Sequence, residues 1–126
     1  MLRTQSQIRL IAAFCGALAF AALQHAVAAN PDQVATFKAT HRCPGCDLSE
    51  AHLAGIQAPN AKLANANLKN ADLYGGNLRG ADLSGAILDG ANLEMVDLSG
   101  ATGAVLGSAR TDKRTTCPDG NAGPCS

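Results

Sequence analysis

The sequence predicts an all-β solenoid, a chain that bends once every five residues and winds into a coil. From Cys46 to Gly100 it divides into eleven blocks of five, and the third position of every block but one is leucine. The first position is mostly alanine and the fifth is often glycine or asparagine. Repetition at a fixed short period is typical of solenoids. The leucines are Leu48, Leu53, Leu63, Leu68, Leu73, Leu78, Leu83, Leu88, Leu93 and Leu98.

A period of five excludes an α-helix and a flat sheet. Every fifth residue of a helix lies about 140° further round, so the leucines would form no buried stripe. In a flat strand an odd spacing places successive leucines on opposite faces. Within one block, however, alanine and leucine are two residues apart, as on one face of a strand. The backbone must therefore be extended for about three residues and then bend, and glycine and asparagine at the block ends tolerate such bends.

One block departs from the pattern in a way that supports a shared interior. Block 56–60 carries Ile56 at its first position and Ala58 at its third, where its neighbours carry alanine and leucine. The large and small interior residues have exchanged places, which roughly conserves the core volume.

The order of a small residue, Asp or Asn, leucine and two variable residues resembles the pentapeptide-repeat family, over about 55 residues. The resemblance implies a right-handed, quadrilateral parallel β-helix with four blocks per coil, here about three coils. Exported members of the family have similar Cys-Pro-Gly-Cys-Asp-Leu openings, which implies that this turn belongs to an end cap.

Residues 1–29 resemble a secretory signal peptide. Arg3 and Arg9 precede a short apolar run, and the small residues Ala26-Val27-Ala28 suit a cleavage site, with Val27-Ala28-Ala29 as the alternative. A membrane anchor is disfavoured because the apolar run is shorter than the roughly 20 residues that span a bilayer. We therefore expect a bacterial protein of the periplasm or the exterior, with no membrane attachment after cleavage.

The remaining chain divides into an N-terminal cap at 30–45, the repeats at 46–112 and a cysteine-containing tail at 113–126. Asn30, Pro31 and Asp32 favour the start of a short helix running to Ala39. Its Val34 and Phe37 are expected to cover the open N-terminal end of the coil. From Lys113 onward the sequence is polar and rich in glycine and proline, which predicts an irregular tail.

Four cysteines remain once the leader is removed: Cys43, Cys46, Cys117 and Cys125. An even number in an exported chain predicts two structural disulfides. Three pairings are possible. The local pairing is favoured, because the two pairs flank opposite ends of the repeats and bridged Cα atoms must lie within about 7 Å. A tail that folds back would still permit the cross-pairings.

The Cys43–Cys46 turn has two chemical alternatives to a structural disulfide. A redox pair needs a lowered thiolate pKa, usually at a helix N-terminus, whereas a repeat follows Cys46. A zinc site from His41, Cys43, Cys46 and His52 has suitable ligand types, but His52 points outward. We expect no metal, no cofactor and no catalytic group. Ser49, Ser84 and Ser99 are predicted to be outward turn residues, and Asp47, Asp72, Asp82 and Asp97 outward second positions.

The charge balance argues against a nucleic-acid partner. Removing the leader leaves ten acidic and eight basic residues, and blocks 46–100 hold seven acidic and three basic residues. The predicted function is that of an exported, non-catalytic structural or protein-interaction module with an unknown protein partner. Some members of the family imitate duplex DNA and bind DNA gyrase, which is the alternative. The leader disfavours it because gyrase is cytosolic. Tyr74 and Met95 are exposed apolar residues that could form a contact patch.

Overall fold

The computed structural model describes residues 29–126, so the predicted signal peptide lies outside the described residues except for Ala29. One helix, α1, runs over Pro31–Thr40. It begins at Asn30, whose side chain accepts hydrogen bonds from the backbone N–H groups of Asp32 at 3.0 Å and Gln33 at 3.4 Å. It ends at His41, which has a φ of 56° and donates its N–H to the Phe37 carbonyl. A polar side chain at the N-cap and a left-handed residue at the C-terminus are ordinary helix boundaries.

A parallel ladder follows α1, with bridging residues twenty apart. The first bridge joins Arg42 to Lys62, and the same spacing continues to the bridge between Asp82 and Thr102. Each block contributes one bridging residue, at its second position, and no longer strand is present between residues 29 and 126. Because two of every five residues form a turn, the extended part of each block is very short. Since bridged residues are twenty apart, four blocks complete one coil of a parallel β-helix.

The corners are four-residue turns closed by backbone hydrogen bonds. In one such turn the N–H of Ala51 donates to the carbonyl of Leu48 at 3.1 Å. The fifth position of all eleven blocks from 46 to 100 has a positive φ, with values between 56° and 72°. Glycine or asparagine usually occupies it, since these residues adopt left-handed angles most easily. In two blocks the fifth residue is instead Glu50 or Met95, with φ values of 59° and 61°.

The interior consists of the third and first positions. All ten repeat leucines and Ala58 are at most 2 % exposed. The large Ile56 of block 56–60 is accommodated by the neighbouring coil as well as by the small Ala58 of its own block. Ile56, Gly76 and Val96 occupy the same first position in successive coils, and a Cβ on Gly76 would lie 3.4 Å from the Ile56 Cγ2 atom. The absence of a side chain at Gly76 therefore leaves room for its larger neighbours.

The ladder extends into the segment that the sequence predicts to be an irregular tail. Thr116, in the predicted tail, pairs with Asp97 at a spacing of nineteen residues, and Arg110, near the end of the predicted repeats, pairs with Asn92 at a spacing of eighteen. Thr115 is buried and its hydroxyl donates to the Leu93 carbonyl at 2.9 Å. Residues 113–118 thus belong to the last coil. Their sequence does not match the repeat, so the pattern alone does not reveal them.

Candidate functional site

The second-position Asp and Asn side chains hold the corners of the coil. In seven blocks the side-chain oxygen accepts the backbone N–H two residues later, at 2.9 to 3.2 Å. Some also connect neighbouring coils: the Asn92 amide donates to Asp72 at 3.2 Å. These carboxylates and amides are therefore engaged in turn formation, the role of an Asx-turn. The residues are Asp47, Asn67, Asp72, Asn77, Asp82, Asn92 and Asp97.

Hydrogen bonding lowers the pKa of two of these carboxylates. Hydrogen bonds from Ser84 lower the pKa of Asp82. For Asp97, partial burial raises the pKa, but bonds from the Ser99 hydroxyl at 2.7 Å and amide at 2.9 Å outweigh it and the net shift is downward. Both groups are anionic at neutral pH, so the acidic character of the solenoid surface persists.

Ser49 is buried, so the prediction that it is an outward turn residue is wrong. It is 5 % exposed, and its hydroxyl donates to the Asp47 carboxylate at 2.6 Å. The side chain of Gln33, from α1, accepts the Asp47 N–H at 2.6 Å. Since α1 packs beside this corner, Ser49 is covered, whereas Ser84, in a later coil, is exposed.

A carboxylate that sequence reasoning missed ties the last coil together. Asp112 accepts hydrogen bonds from the Met95 N–H at 3.1 Å, the Thr115 hydroxyl at 3.0 Å and the Arg114 side chain at 3.2 Å. Partial burial raises the pKa of Asp112, but these bonds dominate and lower it to about 2. Asp112 also accepts the Arg114 N–H at 3.1 Å. The second-position Asp and Asn residues make the same bond to the amide two residues later. An Asp that could form such a turn was therefore the sequence feature that could have identified Asp112.

The cysteines lie in two local pairs at opposite ends of the ladder. The Cα atoms of Cys43 and Cys46 are 5.4 Å apart, and those of Cys117 and Cys125 are 5.6 Å apart. Both separations are within the range of ordinary disulfides. At the C-terminal end the Cys125 N–H also donates to the Thr111 hydroxyl at 3.0 Å, which anchors the tail.

The four residues weighed as zinc ligands do not form a metal site. Cys43 and Cys46 are bonded to each other, His41 ends α1 and His52 is exposed. Within residues 29–126 there is no group of three or more His, Cys, Asp or Glu residues that could hold a metal ion. Nor does that part of the chain contain a helix with the length and apolarity needed to cross a membrane.

Four large apolar side chains are exposed among residues 29–126. Tyr74 and Met95, singled out from the sequence, are joined by Ile87 at 45 % exposure and Val105 at 74 %. Ile87 occupies a second position, where most blocks have Asp or Asn, and that break in the pattern was its signal. Single exposed apolar residues are common on protein surfaces and do not define a site by themselves.

Comparison with known proteins identifies the family. A model of pentapeptide repeats in eight copies matches residues 45–80 and 66–102. The crystal structure of alr5209, a pentapeptide repeat protein from Nostoc Pcc 7120, is 30 % identical, with a TM-score of 0.52 over 69 % of this chain and 78 % of that one. The chain belongs to the pentapeptide-repeat family. Its fold is accordingly the quadrilateral β-helix of that family.

Two further solved members of the family are similar over part of the chain. HetL, involved in heterocyst differentiation regulation in Nostoc sp. strain PCC 7120, is 37 % identical over 65 % of this chain and 40 % of its own, with a TM-score of 0.39. A pentapeptide repeat protein of the Arabidopsis thaliana thylakoid lumen is 26 % identical over 70 % of this chain and 68 % of its own, with a TM-score of 0.29. None of the curated proteins matches the chain.

Proposed function

We propose that this pentapeptide-repeat protein is exported from a bacterial cell and acts outside the cytosol as a non-catalytic structural or protein-interaction module. The observation that carries the proposal is the presence of cysteine pairs at disulfide distance at both ends of the solenoid. Disulfides persist in oxidising compartments and are rare in the cytosol. The leader pattern of residues 1–29 supports the same location.

The outward faces support binding to a protein. Second-position side chains stand in columns at the spacing of the ladder, each corner is closed by a backbone hydrogen bond, and seven blocks add an Asx hydrogen bond. Such a surface is pre-organised, so little conformational entropy is lost when a partner binds. The excess of acidic residues over blocks 46–100 favours a protein partner over a nucleic acid.

We propose that the solenoid has about three right-handed coils and that its ends are capped. Helix α1 closes the N-terminal end. Phe37 is fully buried in the same cluster as the repeat leucines, and Val34 packs against it. Gln33 accepts the N–H of Asp47, and Thr40 accepts that of Arg42. A short solenoid needs such protected ends, because its terminal coils would otherwise expose apolar surface.

Expression of the whole chain in a bacterium, followed by fractionation and thiol counting, tests the proposal. We expect a processed protein outside the cytosol with none of its four remaining cysteines reactive until a reductant is added. The matched control is a chain that starts at Ala29, which should stay in the cytosol with reduced thiols. Whole-length protein retained in the cytosol with free thiols would contradict export. Reactive thiols on correctly exported protein would contradict the structural role of the disulfides.

Proximity labelling from the exported protein then identifies partners. A variant in which the exposed Ile87 and Tyr74 are changed to serine provides the comparison, because both side chains lie outside the core. Partners that bind the outward faces should be labelled less by the variant. If no protein is labelled above the background of an unrelated exported protein, the interaction role is wrong and the structural role remains.

A further inference from the structure

The two cysteine pairs differ in what else holds the backbone around them. At the N-terminal pair, the N–H of Cys43 donates to the Lys62 carbonyl at 2.9 Å, and the N–H of Cys46 donates to the Cys43 carbonyl at 3.3 Å. The corner between Leu48 and Ala51 has the same closing bond, at 3.1 Å, without cysteines. The coil therefore holds the N-terminal corner whether or not its disulfide is closed.

At the C-terminal end, the chain returns over the last coil as a closing segment, residues 119–126. The N–H of Gly123 donates to the Thr115 carbonyl at 2.7 Å. The segment passes so close at this point that a Cβ added to Gly123 would lie 2.5 Å from the Asp112 carbonyl oxygen. The closing segment is thus seated against the coil through its backbone.

The side chains of the closing segment contribute little to holding it in place. All eight of its residues are half-buried or exposed, and Cys125 is the one among them that packs against the core. Each hydrogen bond stabilises the seated state only modestly, because water competes for the same groups. Fixing the segment costs conformational entropy at every residue. The covalent bond from Cys125 to Cys117 is therefore its main restraint.

We propose that the Cys117–Cys125 disulfide is a redox-sensitive latch, whose reduction releases residues 119–126 and opens the C-terminal end of the solenoid while the coils stay folded. The closing segment faces Leu106 across a cavity of about 380 Å³. Leu106 is 5 % exposed, so release of the segment uncovers an apolar side chain at the end of the last coil. The latch rests on the structural disulfides proposed above, but not on export or on a partner.

The reductant that opens the latch is a dithiol. One of its thiolates attacks the Sγ atom of Cys125, the more exposed of the two cysteines, and Cys117 leaves as a thiolate that takes up a proton. The second thiol of the reductant then loses its proton and displaces Cys125 from the mixed disulfide. Two electrons pass to the protein, which gains two thiols, and the reductant becomes a disulfide.

Amide hydrogen exchange on the whole chain, before and after reduction with dithiothreitol, tests the latch. We expect the Gly123 amide to exchange about tenfold or more faster in the reduced protein, because its bond to the last coil opens. The Leu98 amide, bonded to Thr116 at 2.8 Å, should stay protected and so report that the last coil is folded. The Gly45 amide, bonded to Ala64 at 2.8 Å, should also stay protected, although the disulfide beside it is reduced as well.

A matched pair of double variants assigns the effect to one disulfide. The change of Cys117→Ser together with Cys125→Ser should give fast exchange at Gly123 without any reductant. The change of Cys43→Ser together with Cys46→Ser removes the other disulfide and should leave Gly123 protected until dithiothreitol is added.

Unchanged protection of Gly123 after reduction would overturn the latch alone. Joint loss of protection at Gly123, Leu98 and Leu73 would also overturn it, since the disulfide would then hold the whole fold rather than one segment. Reactive thiols before any reductant is added would overturn both the latch and the structural role of the disulfides, and thiol counting detects that outcome separately.

Discussion

Replacement of Leu73 by alanine tests the inside–outside assignment of the repeat. Leu73 is fully buried in the second coil, between the coils that carry Leu53 and Leu93. Loss of three carbon atoms removes about 2.4 kcal/mol of burial at about 0.8 kcal/mol per methylene. Because the backbone ladder prevents the neighbouring coils from closing the void, the total should reach about 3–4 kcal/mol. For a domain of this size the melting temperature should fall by roughly 12–32 °C.

The assay is thermal and chaotrope unfolding followed by circular dichroism, with the disulfides intact. The matched control is Ile87→Ala, which also removes an apolar side chain but from a second position that is 45 % exposed. It should change the free energy of unfolding by no more than about 0.5 kcal/mol. Equal losses in the two variants, or a loss below about 1 kcal/mol for Leu73→Ala, would refute the assignment.

Three further predictions concern the corners and the C-terminal end. Gly103→Ala should destabilise the protein more than Gly55→Ala. Both residues have a φ near 70°, but only at Gly103 would the new Cβ meet backbone, 2.6 Å from a Cα atom. Chemical denaturation of both variants measures the difference, and equal losses of stability would contradict the steric argument. The pKa of Asp112 is lowered to about 2 from 3.8, so its contribution to stability is present above about pH 4 and is lost as the pH falls towards 2. Asp112→Asn should flatten the acid dependence in that window, and an unchanged acid profile would argue against this role. Changing both Cys117 and Cys125 to serine should lower the free energy of unfolding by about 2–3 kcal/mol, from the chain entropy of a short closed loop; unchanged stability would show that the C-terminal bridge is dispensable.

The features that follow from the sequence are those set within a single block. The burial of Leu73 and its counterparts, and the bend at each fifth position, arise from hydrophobicity and from the angles that glycine and asparagine tolerate. Asn30 and Pro31 likewise indicate the start of α1 from local capping chemistry. Glu50 and Met95 adopt the same left-handed angle without being residues that favour it. The Glu50 N–H donates to the Lys69 carbonyl of the next coil, and the Met95 N–H donates to the Asp112 carboxylate.

The candidate surfaces were predicted less completely. The sequence predicts Tyr74 and Met95 as exposed apolar residues, and Ile87 could have been found because it is an apolar residue at a second position. The bonds of Asp112 to Met95 and Thr115 could not be predicted, because they depend on how the chain after the regular blocks 46–100 returns to the coil. The burial of Ser49 depends on the position of α1, which one block of sequence does not specify.

The sequence by itself determined that this chain is a coil of five-residue blocks with a leucine interior, because each block must bury its own leucine and turn within its own five residues. Only the tertiary structure decided how the coils stack and end. It paired residues eighteen and nineteen apart in the last coil and brought together the local cysteine pairs out of three possible pairings. These outcomes depend on contacts between segments distant in sequence, and a local repeat pattern carries no information about them.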